Sequence, residues 1–310
     1  MGLTRLARFA WGVLLYNVGV ILWGTYVRAT GSGAGCGSHW PTCNGDIIPR
    51  EPALKTVVEF THRATSGLAL ISVVVLGILV FKAFPRRHHA RKGAAASIFF
   101  MLTEAAVGAG LVLLKYVAED QSLGRALFMC VHLINTFILL ACITLTAWWV
   151  SGGPPVALRR GGKTGLLASS HLLMLLLGVS GAITALGDTL FPASSLEEGF
   201  AQDLSPTAHV LLRLRIFHPA IAILTAVVLV VVVALADDGR RTSGRLGRVV
   251  VVTVGLQLLA GVVNLLLLAP VPMQILHLLL ADVVWCSMVL FAASVLRDEG
   301  GAVPRDFTEH

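Results

Sequence analysis

The chain has 310 residues, of which 56% are hydrophobic and 13% are charged, and its mean hydropathy is +0.81. Soluble domains contain about 25% charged residues, so this composition excludes an ordinary soluble protein. The formal net charge of +7 does not indicate a nucleic-acid site, because the basic residues lie mainly in loops between apolar segments, as in membrane proteins. We therefore predict an integral membrane protein without a nucleic-acid partner.

Eight apolar segments are each long enough to cross a bilayer as a helix, which requires about 20 residues. The first segment is expected to remain as a helix, because Arg28 and the loop after it do not form the small-residue cleavage site of a signal peptide. We predict an all-α fold with eight transmembrane helices near residues 8–28, 56–84, 94–118, 125–150, 164–188, 208–236, 246–268 and 272–296.

Positive charge predicts the orientation, because loops rich in Lys and Arg stay in the cytoplasm. Sixteen of the 24 basic residues fall on one side, where they also suit contact with anionic lipid. Both termini are then cytoplasmic, and the loop after the first span lies on the outer face. The sixteen are Arg5, Arg8, Lys82, Arg86, Arg87, Arg91, Lys92, Arg159, Arg160, Lys163, Arg240, Arg241, Arg245, Arg248, Arg297 and Arg305.

The glycine-rich outer loop 28–45 contains Cys36 and Cys43. An oxidising compartment allows such a pair to form a disulfide. The bond could be a staple that stiffens the loop, or a redox-active pair, since an exposed disulfide that closes a small loop is often labile. Cys130, Cys142 and Cys286 lie inside predicted spans and are interpreted as small apolar residues.

Four histidines lie inside even-numbered spans, each about one and a half to three turns from the predicted outer end: His62, His132, His218 and His277. Even-numbered spans all run in the same direction, so the four side chains should form one layer. Two pairs of imidazoles in four-helix bundles suit two bis-histidine haem sites. A non-haem metal would favour closely spaced carboxylate or cysteine ligands, which the pattern lacks.

Glu59 lies three residues before His62, on the same helix face. Its role could be proton acceptor, substrate-orienting group or partner of a metal ligand, or it could simply be hydrogen-bonded to neighbouring helices. Arg213 and Arg215 could pair with haem propionates or extend to the membrane surface. The roles of two further embedded carboxyl residues, Glu104 and Asp282, stay open.

The positions of the buried histidines repeat along the chain. His62 and His132 recur as His218 and His277, at offsets of 156 and 145 residues, and Glu104-x-x-x-Gly108 recurs as Gln257-x-x-x-Gly261. We predict two tandem four-helix bundles, residues 1–155 and 156–310, related by a pseudo-twofold axis along the membrane normal. In the second copy Arg215 takes the place of Glu59 and the loop has no cysteines. The first half thus suits a reaction site and the second an electron-transfer or structural haem.

These motifs resemble the haem A synthase family, in its bacterial type with a cysteine pair in the first extracellular loop. The similarity covers essentially the whole chain, and its most specific parts are loop 33–45, Glu59-Phe60-Thr61-His62-Arg63, and the histidines of spans four, six and eight. The resemblance implies a bacterial plasma membrane enzyme, an oxidoreductase that converts haem O to haem A for cytochrome oxidase. It also implies that water supplies the oxygen with which the C8 methyl group becomes a formyl group.

The resemblance also implies roles for individual residues. His62 and His132 would flank the iron of the substrate haem O, Glu59 would assist the chemistry, and His218 and His277 would bind a haem b cofactor. It implies the Cys36–Cys43 disulfide as well.

The implied partners are a haem O synthase that supplies the substrate, an electron acceptor that the sequence does not identify, and membrane lipid; a homo-oligomer is also compatible. Two other functions remain open. A membrane di-haem b electron-transfer cytochrome would use the same four histidines but would not need Glu59 in one half alone. A haem or lipid transporter should instead show broken helices near the midplane.

Overall fold

The computed structural model describes residues 4–50, 52–157 and 161–297, and these residues are almost entirely helical. Eight of the described helices are long and apolar enough to cross a membrane. We number these spans 1 to 8 in chain order; α7 and α8 together form span 6. The helices are α1 (Arg5–Ala29), α2 (Leu54–Ala83), α3 (His89–Leu113), α4 (Leu123–Val150), α5 (Gly162–Leu190), α6 (Leu196–Leu204), α7 (Val210–Arg215), α8 (Phe217–Ala236), α9 (Arg241–Leu266) and α10 (Val271–Val295).

The structure confirms the all-α membrane fold, and most spans agree with the sequence prediction to within a few residues. Span 3 is displaced by five residues: it was predicted at 94–118 and is observed as His89–Leu113. It begins early because the His88 side chain caps the first turn, and it ends early because Lys115 and Ala118 adopt positive φ angles of 60° and 53°. Span 6 is interrupted at Ile216, where Pro219 cannot donate a hydrogen bond to the carbonyl group of Arg215.

The central core lies where α4 packs against α10. These two helices are the most buried spans, with 44% and 50% of their apolar windows inside the protein. Phe137 stacks on Trp285, and the indole N–H donates to the Phe137 carbonyl oxygen at 2.6 Å. Many apolar side chains on the outer helices remain exposed, for example Leu15 at 71% and Leu68 at 57%, as expected for surfaces that face lipid.

Each half forms a compact group of four spans. Spans 1 to 4 pack in sequence and close through α1 against α4, and spans 5 to 8 pack in sequence and close through α5 against α10. The groups meet where α10 contacts both α1 and α4, and where α4 contacts α5. The division at residues 155 and 156 and the pseudo-twofold axis stay predictions.

One end of the bundle bears the three connections 30–53, 114–122 and 191–209 together with the short turn 267–270, and we call it the loop end. Arg28 joins the two halves there. Its guanidinium donates to the Ala185 carbonyl oxygen, the Thr189 hydroxyl and Gln274 Oε1, at 2.6 to 2.7 Å.

Most of the sixteen basic residues predicted to be cytoplasmic lie at or near the opposite end. Arg159, Arg160 and Arg305 lie outside the described residues. The orientation of the bundle in the membrane, and with it the cytoplasmic location of both termini, stays a prediction.

Candidate functional site

The four histidines form one layer near the loop end. His62 is the ninth residue of α2, His132 the tenth of α4, His218 the ninth of span 6 and His277 the seventh of α10. At a rise of 1.5 Å per residue these positions lie about 9 to 14 Å inside their helices. All four side chains are half-buried. The matched depth expected from the sequence is therefore present in the fold.

Each histidine faces a glycine on the preceding odd-numbered span. A Cβ atom added to Gly24 would lie 3.0 Å from Cε1 of His62; the corresponding distance is 3.1 Å from Gly181 to His218 and 3.1 Å from Gly261 to His277. The fourth contact, from Gly108 to His132, is looser at 3.9 Å. Carbon atoms pack best at about 3.5 to 4.0 Å, so three of the four imidazoles occupy space that only glycine leaves open.

In the second half, the rings of His218 and His277 stand edge to face with centroids 6.5 Å apart. Two imidazoles that bind one iron from opposite sides, with Fe–N bonds of about 2 Å, have centroids about 6.3 Å apart. Ser180 lies 2.9 Å from Nδ1 of His218, and the Gln257 amide lies 3.3 Å from Nε2 of His277. Nδ1 of His277 is buried without a hydrogen-bond partner. These features fit a bis-histidine haem.

In the first half, His62 interacts electrostatically with both His132 and Glu104. Nδ1 of His62 and Nδ1 of His132 are buried and have no aligned hydrogen-bond partner. Nδ1 of His132 lies 3.3 Å from Oε1 of Glu104. These two imidazoles, each with an unpartnered ring nitrogen, are therefore candidates to hold one iron, and Glu104 gives His132 an acidic neighbour. Within the described ranges, no group of three or more His, Cys, Asp or Glu side chains could hold a metal ion.

Glu59 lies three residues before His62 on α2, and its carboxylate contacts the cysteine loop. It is 3% exposed, and its Oε2 accepts a 2.7 Å hydrogen bond from the backbone N–H of Cys36. Its Oε1 pairs with Arg63 at 2.5 Å. Both carboxylate oxygens are thus engaged, and neither contacts His62 through a hydrogen bond. Glu59 and His62 are close along α2, as expected, but the hydrogen-bond partners of Glu59 are the Cys36 backbone N–H and the Arg63 side chain.

The cysteine loop is closed and docked on α2. Cys36 and Cys43 form a disulfide, as predicted. Arg63, besides pairing with Glu59, donates to the carbonyl oxygens of His39 and Thr42 at 2.6 and 2.7 Å. The loop is thereby held at both ends over the start of α2. These contacts favour the structural interpretation of the disulfide, whereas a redox role in turnover stays a hypothesis.

The two arginines considered as propionate contacts differ. Arg215 pairs with Asp188 at 2.8 Å and with Asp203 at 2.7 Å, so its charge is already balanced by two carboxylates. Arg213 is exposed and has no polar partner among the described residues. A contact between either arginine and a haem propionate stays a prediction, and Arg213 is the one available to make it.

Sequence reasoning missed two members of the layer, Gly24 and Gly181. They are 157 residues apart, almost the offset of 156 between His62 and His218, so the repeat could have revealed them. Arg63, within the motif but given no role, proves to be the residue that docks the loop. Asp282 is 1% exposed and neither carboxyl oxygen has a hydrogen-bond partner; the structure gives it no role.

Comparisons with known proteins show to which family the chain belongs. Residues 7–289 match the family model COX15-CtaA, described as cytochrome oxidase assembly protein. A Heme A synthase of Alkalihalophilus pseudofirmus is 38% identical over 101 residues, 33% of each chain. Another, of Bacillus mycoides, is 40% identical over 126 residues, 40% of this chain and 39% of the relative.

A longer relative is similar in sequence to almost the whole of this chain. It is a Thermus thermophilus protein named Protoheme IX farnesyltransferase, 51% identical over 324 residues that cover 98% of this chain and 53% of the relative. The chain thus spans about half the length of that protein. Because the family model covers nearly all of this sequence, the chain belongs to the COX15-CtaA cytochrome oxidase assembly proteins, the haem A synthase family.

Proposed function

We propose that the protein is a haem A synthase, which oxidises the C8 methyl group of haem O to a formyl group by two successive water-derived hydroxylations. The observation that carries this proposal is the difference between the two histidine pairs. Among the described residues, only the first pair has a carboxylate in contact with it, Glu104, and only the first half has Glu59 with the docked disulfide loop. The family supports an enzyme that modifies haem, and the asymmetry supports placing the reaction in the first half.

We propose that the two histidine pairs bind different haems. His62 and His132 bind the iron of haem O, the substrate. His218 and His277 bind haem b, which supplies one-electron transfer when it is present. Both histidines of the second pair lie close to a glycine, as suits a permanent cofactor, whereas in the first pair His62 lies close to one and His132 has the looser approach of 3.9 Å, as suits a site that must admit substrate and release product.

The overall reaction is R–CH₃ + H₂O → R–CHO + 4 H⁺ + 4 e⁻, so for each formyl group the site must release four protons and pass four electrons, one at a time, to an external electron acceptor. We assign to Glu59 the role of accepting a proton from the attacking water or stabilising the positive charge that develops at the methyl carbon. Because its oxygens bind Arg63 and the Cys36 N–H, accepting a proton would weaken its hold on the loop. A Glu59→Gln protein that still bound haem O and made haem A at the normal rate would exclude this role.

The decisive experiment is extraction and chromatography of haems from membranes of a host that makes haem O, with and without this chain. A formyl haem should appear with the chain and be lost in His62→Ala. His39→Ala is the matched control, because His39 is exposed at the same end and contributes only its backbone carbonyl oxygen to Arg63. If haem O remains unconverted in the presence of folded, haem-loaded protein, the proposal is wrong.

A second candidate is a membrane di-haem electron-transfer cytochrome. The 6.5 Å separation of His218 and His277 favours it as much as it favours the synthase. The same extraction separates the two functions, because a cytochrome leaves the haem composition of the membrane unchanged. A cytochrome would also tolerate Glu59→Gln.

We propose that a haem O synthase supplies the substrate. The Thermus thermophilus relative, named Protoheme IX farnesyltransferase, contains a segment similar to this entire chain within a protein about twice as long. Co-purification of this chain with a separately tagged farnesyltransferase from the same membranes tests the partnership. Recovery of each protein without the other would count against a stable complex.

A further inference from the structure

Within the part of the chain that the structure describes, the first histidine pair is supported by a carboxylate network, whereas the polar neighbours of the second pair are the neutral Ser180 and Gln257. Oε2 of Glu104 accepts a hydrogen bond from the Asn135 amide at 2.5 Å, and Oε1 contacts the Thr136 hydroxyl. Asn135 is itself fixed, since it donates to the Phe100 carbonyl oxygen at 2.9 Å and accepts from Thr103 at 2.6 Å. Groups from α3 and α4 thus hold the carboxylate in one position.

The carboxylate is directed at His132. Its Oε1 lies 3.3 Å from Nδ1, the ring nitrogen that otherwise has no aligned hydrogen-bond partner. An ionised carboxylate is an acceptor only, and the neighbours that converge on Glu104 are an amide N–H, a hydroxyl group and this imidazole nitrogen. With its proton on Nδ1, the ring leaves Nε2 free as the atom that binds iron.

The second half has a neutral group in the same place. Glu104 lies four residues before Gly108, which faces His132, and Gln257 lies four residues before Gly261, which faces His277. The Gln257 amide lies 3.3 Å from Nε2 of His277, whereas Glu104 faces Nδ1 of His132. The two residues thus hold matching places in the repeat and each faces one ring nitrogen of its histidine, but Glu104 is an anion and Gln257 an uncharged amide.

We propose that Glu104 is a positioning residue that fixes the orientation of His132 and makes it the stronger electron donor to iron, so that the first haem site has a lower reduction potential than the second. A carboxylate that accepts the second N–H of a metal-bound imidazole increases the basicity of the ligand, and this stabilises ferric over ferrous iron. An amide has no such effect. The exchange of Glu104 for Gln257 between the halves thus sets the direction in which electrons move: from the first site to the second.

This inference rests on the ligand assignments of the proposed function, and it is tested by potential rather than by activity. The purified full-length protein is loaded with haem b as the probe at both sites, and each iron is titrated between its ferric and ferrous forms while its absorption is recorded. His132→Ala and His277→Ala identify the signals of the first and second sites, respectively.

Two reciprocal substitutions then give opposite predictions. Glu104→Gln, which keeps the shape of the side chain, should raise the potential of the first haem and weaken its binding by roughly 10- to 100-fold. Gln257→Glu should lower the potential of the second haem. Each variant should leave the other haem unchanged, whereas a general loss of packing would disturb both. Glu104→Asp, which keeps the charge, should restore part of the wild-type potential.

The reciprocal design keeps the inference testable if Glu104→Gln fails to fold, because Gln257→Glu tests it in the other half. Unchanged potentials in both variants, shifts in the same direction, or a second haem with the lower potential in the wild type would overturn it. Formation of haem A with unchanged potentials would refute this inference alone. The predicted shifts without any formyl haem would refute the proposed function alone.

Discussion

Replacing Gly261 by alanine should selectively damage the second haem site. The added Cβ atom would lie 3.1 Å from Cε1 of His277, whereas carbon atoms pack best at about 3.5 to 4.0 Å. The imidazole must therefore retreat by about half an ångström or more, away from the position that binds iron. Overpacking of this kind costs about 1 to 3 kcal/mol. At 1.4 kcal/mol per tenfold change, haem affinity should fall roughly 5- to 140-fold.

The chain provides a matched control on the same helix. Gly255 has no atom within 4 Å of an added Cβ and is exposed, so Gly255→Ala should be neutral or stabilise α9 by up to about 1 kcal/mol. The assay is a titration of each purified variant with haem b, followed by bound haem per protein and by the ferrous absorption spectrum. Circular dichroism in detergent checks that the helices remain.

Two results would contradict this prediction. If Gly261→Ala bound haem with wild-type affinity and spectrum, the glycine contact would not position His277. If Gly255→Ala lost haem to the same extent, the effect would come from alanine in α9 generally. Gly181→Ala should repeat the loss through His218, since its added Cβ would also lie 3.1 Å from the ring.

Four further substitutions probe the arginine contacts of the loop end. Arg63→Gln removes the cation that pairs with Glu59 and docks the loop. Because breaking a buried ion pair costs about 3 to 5 kcal/mol, the loop should detach more readily and dithiothreitol should reduce the Cys36–Cys43 disulfide faster. An unchanged rate of thiol labelling would contradict this prediction. Arg28→Gln should lower the unfolding temperature in detergent because it disconnects α1 from α5 and α10. Arg215→Gln should lower it more than Arg213→Gln, because only Arg215 balances two carboxylates; equal effects would argue against that balance.

The membrane spans were predictable because lipid imposes a simple requirement. A backbone in hydrocarbon must satisfy its own hydrogen bonds, so about 20 apolar residues in a row become a helix. Span 3 was misplaced because its apolar stretch continues past Leu114, where the chain turns, while basic residues such as Arg91 and Lys92 form its first turn. Hydropathy shows which residues can lie in the hydrocarbon core of the membrane, but it does not show at which residue a helix ends.

The layer of histidines was also predictable, since counting residues along parallel helices gives their depth. The partners of Glu59 were not. Its contact with Cys36 joins residues 23 apart through a loop without regular structure, and helical periodicity says nothing about where such a loop folds back. The contact of Arg28 with Gln274 crosses 246 residues and both halves of the chain, beyond the reach of any local pattern.

The glycine contacts recur in a unit smaller than the half-chain. Each histidine packs against the membrane span immediately before its own, in the pairs α1 with α2, α3 with α4, α5 with α8, and α9 with α10. The repeating unit is thus a helical hairpin that turns at the loop end, with a glycine on its first arm and a proposed iron ligand on its second arm. Under the proposed assignments, two hairpins are the smallest unit that holds one haem. Glu59 and Glu104 then belong to the two hairpins of the first such unit.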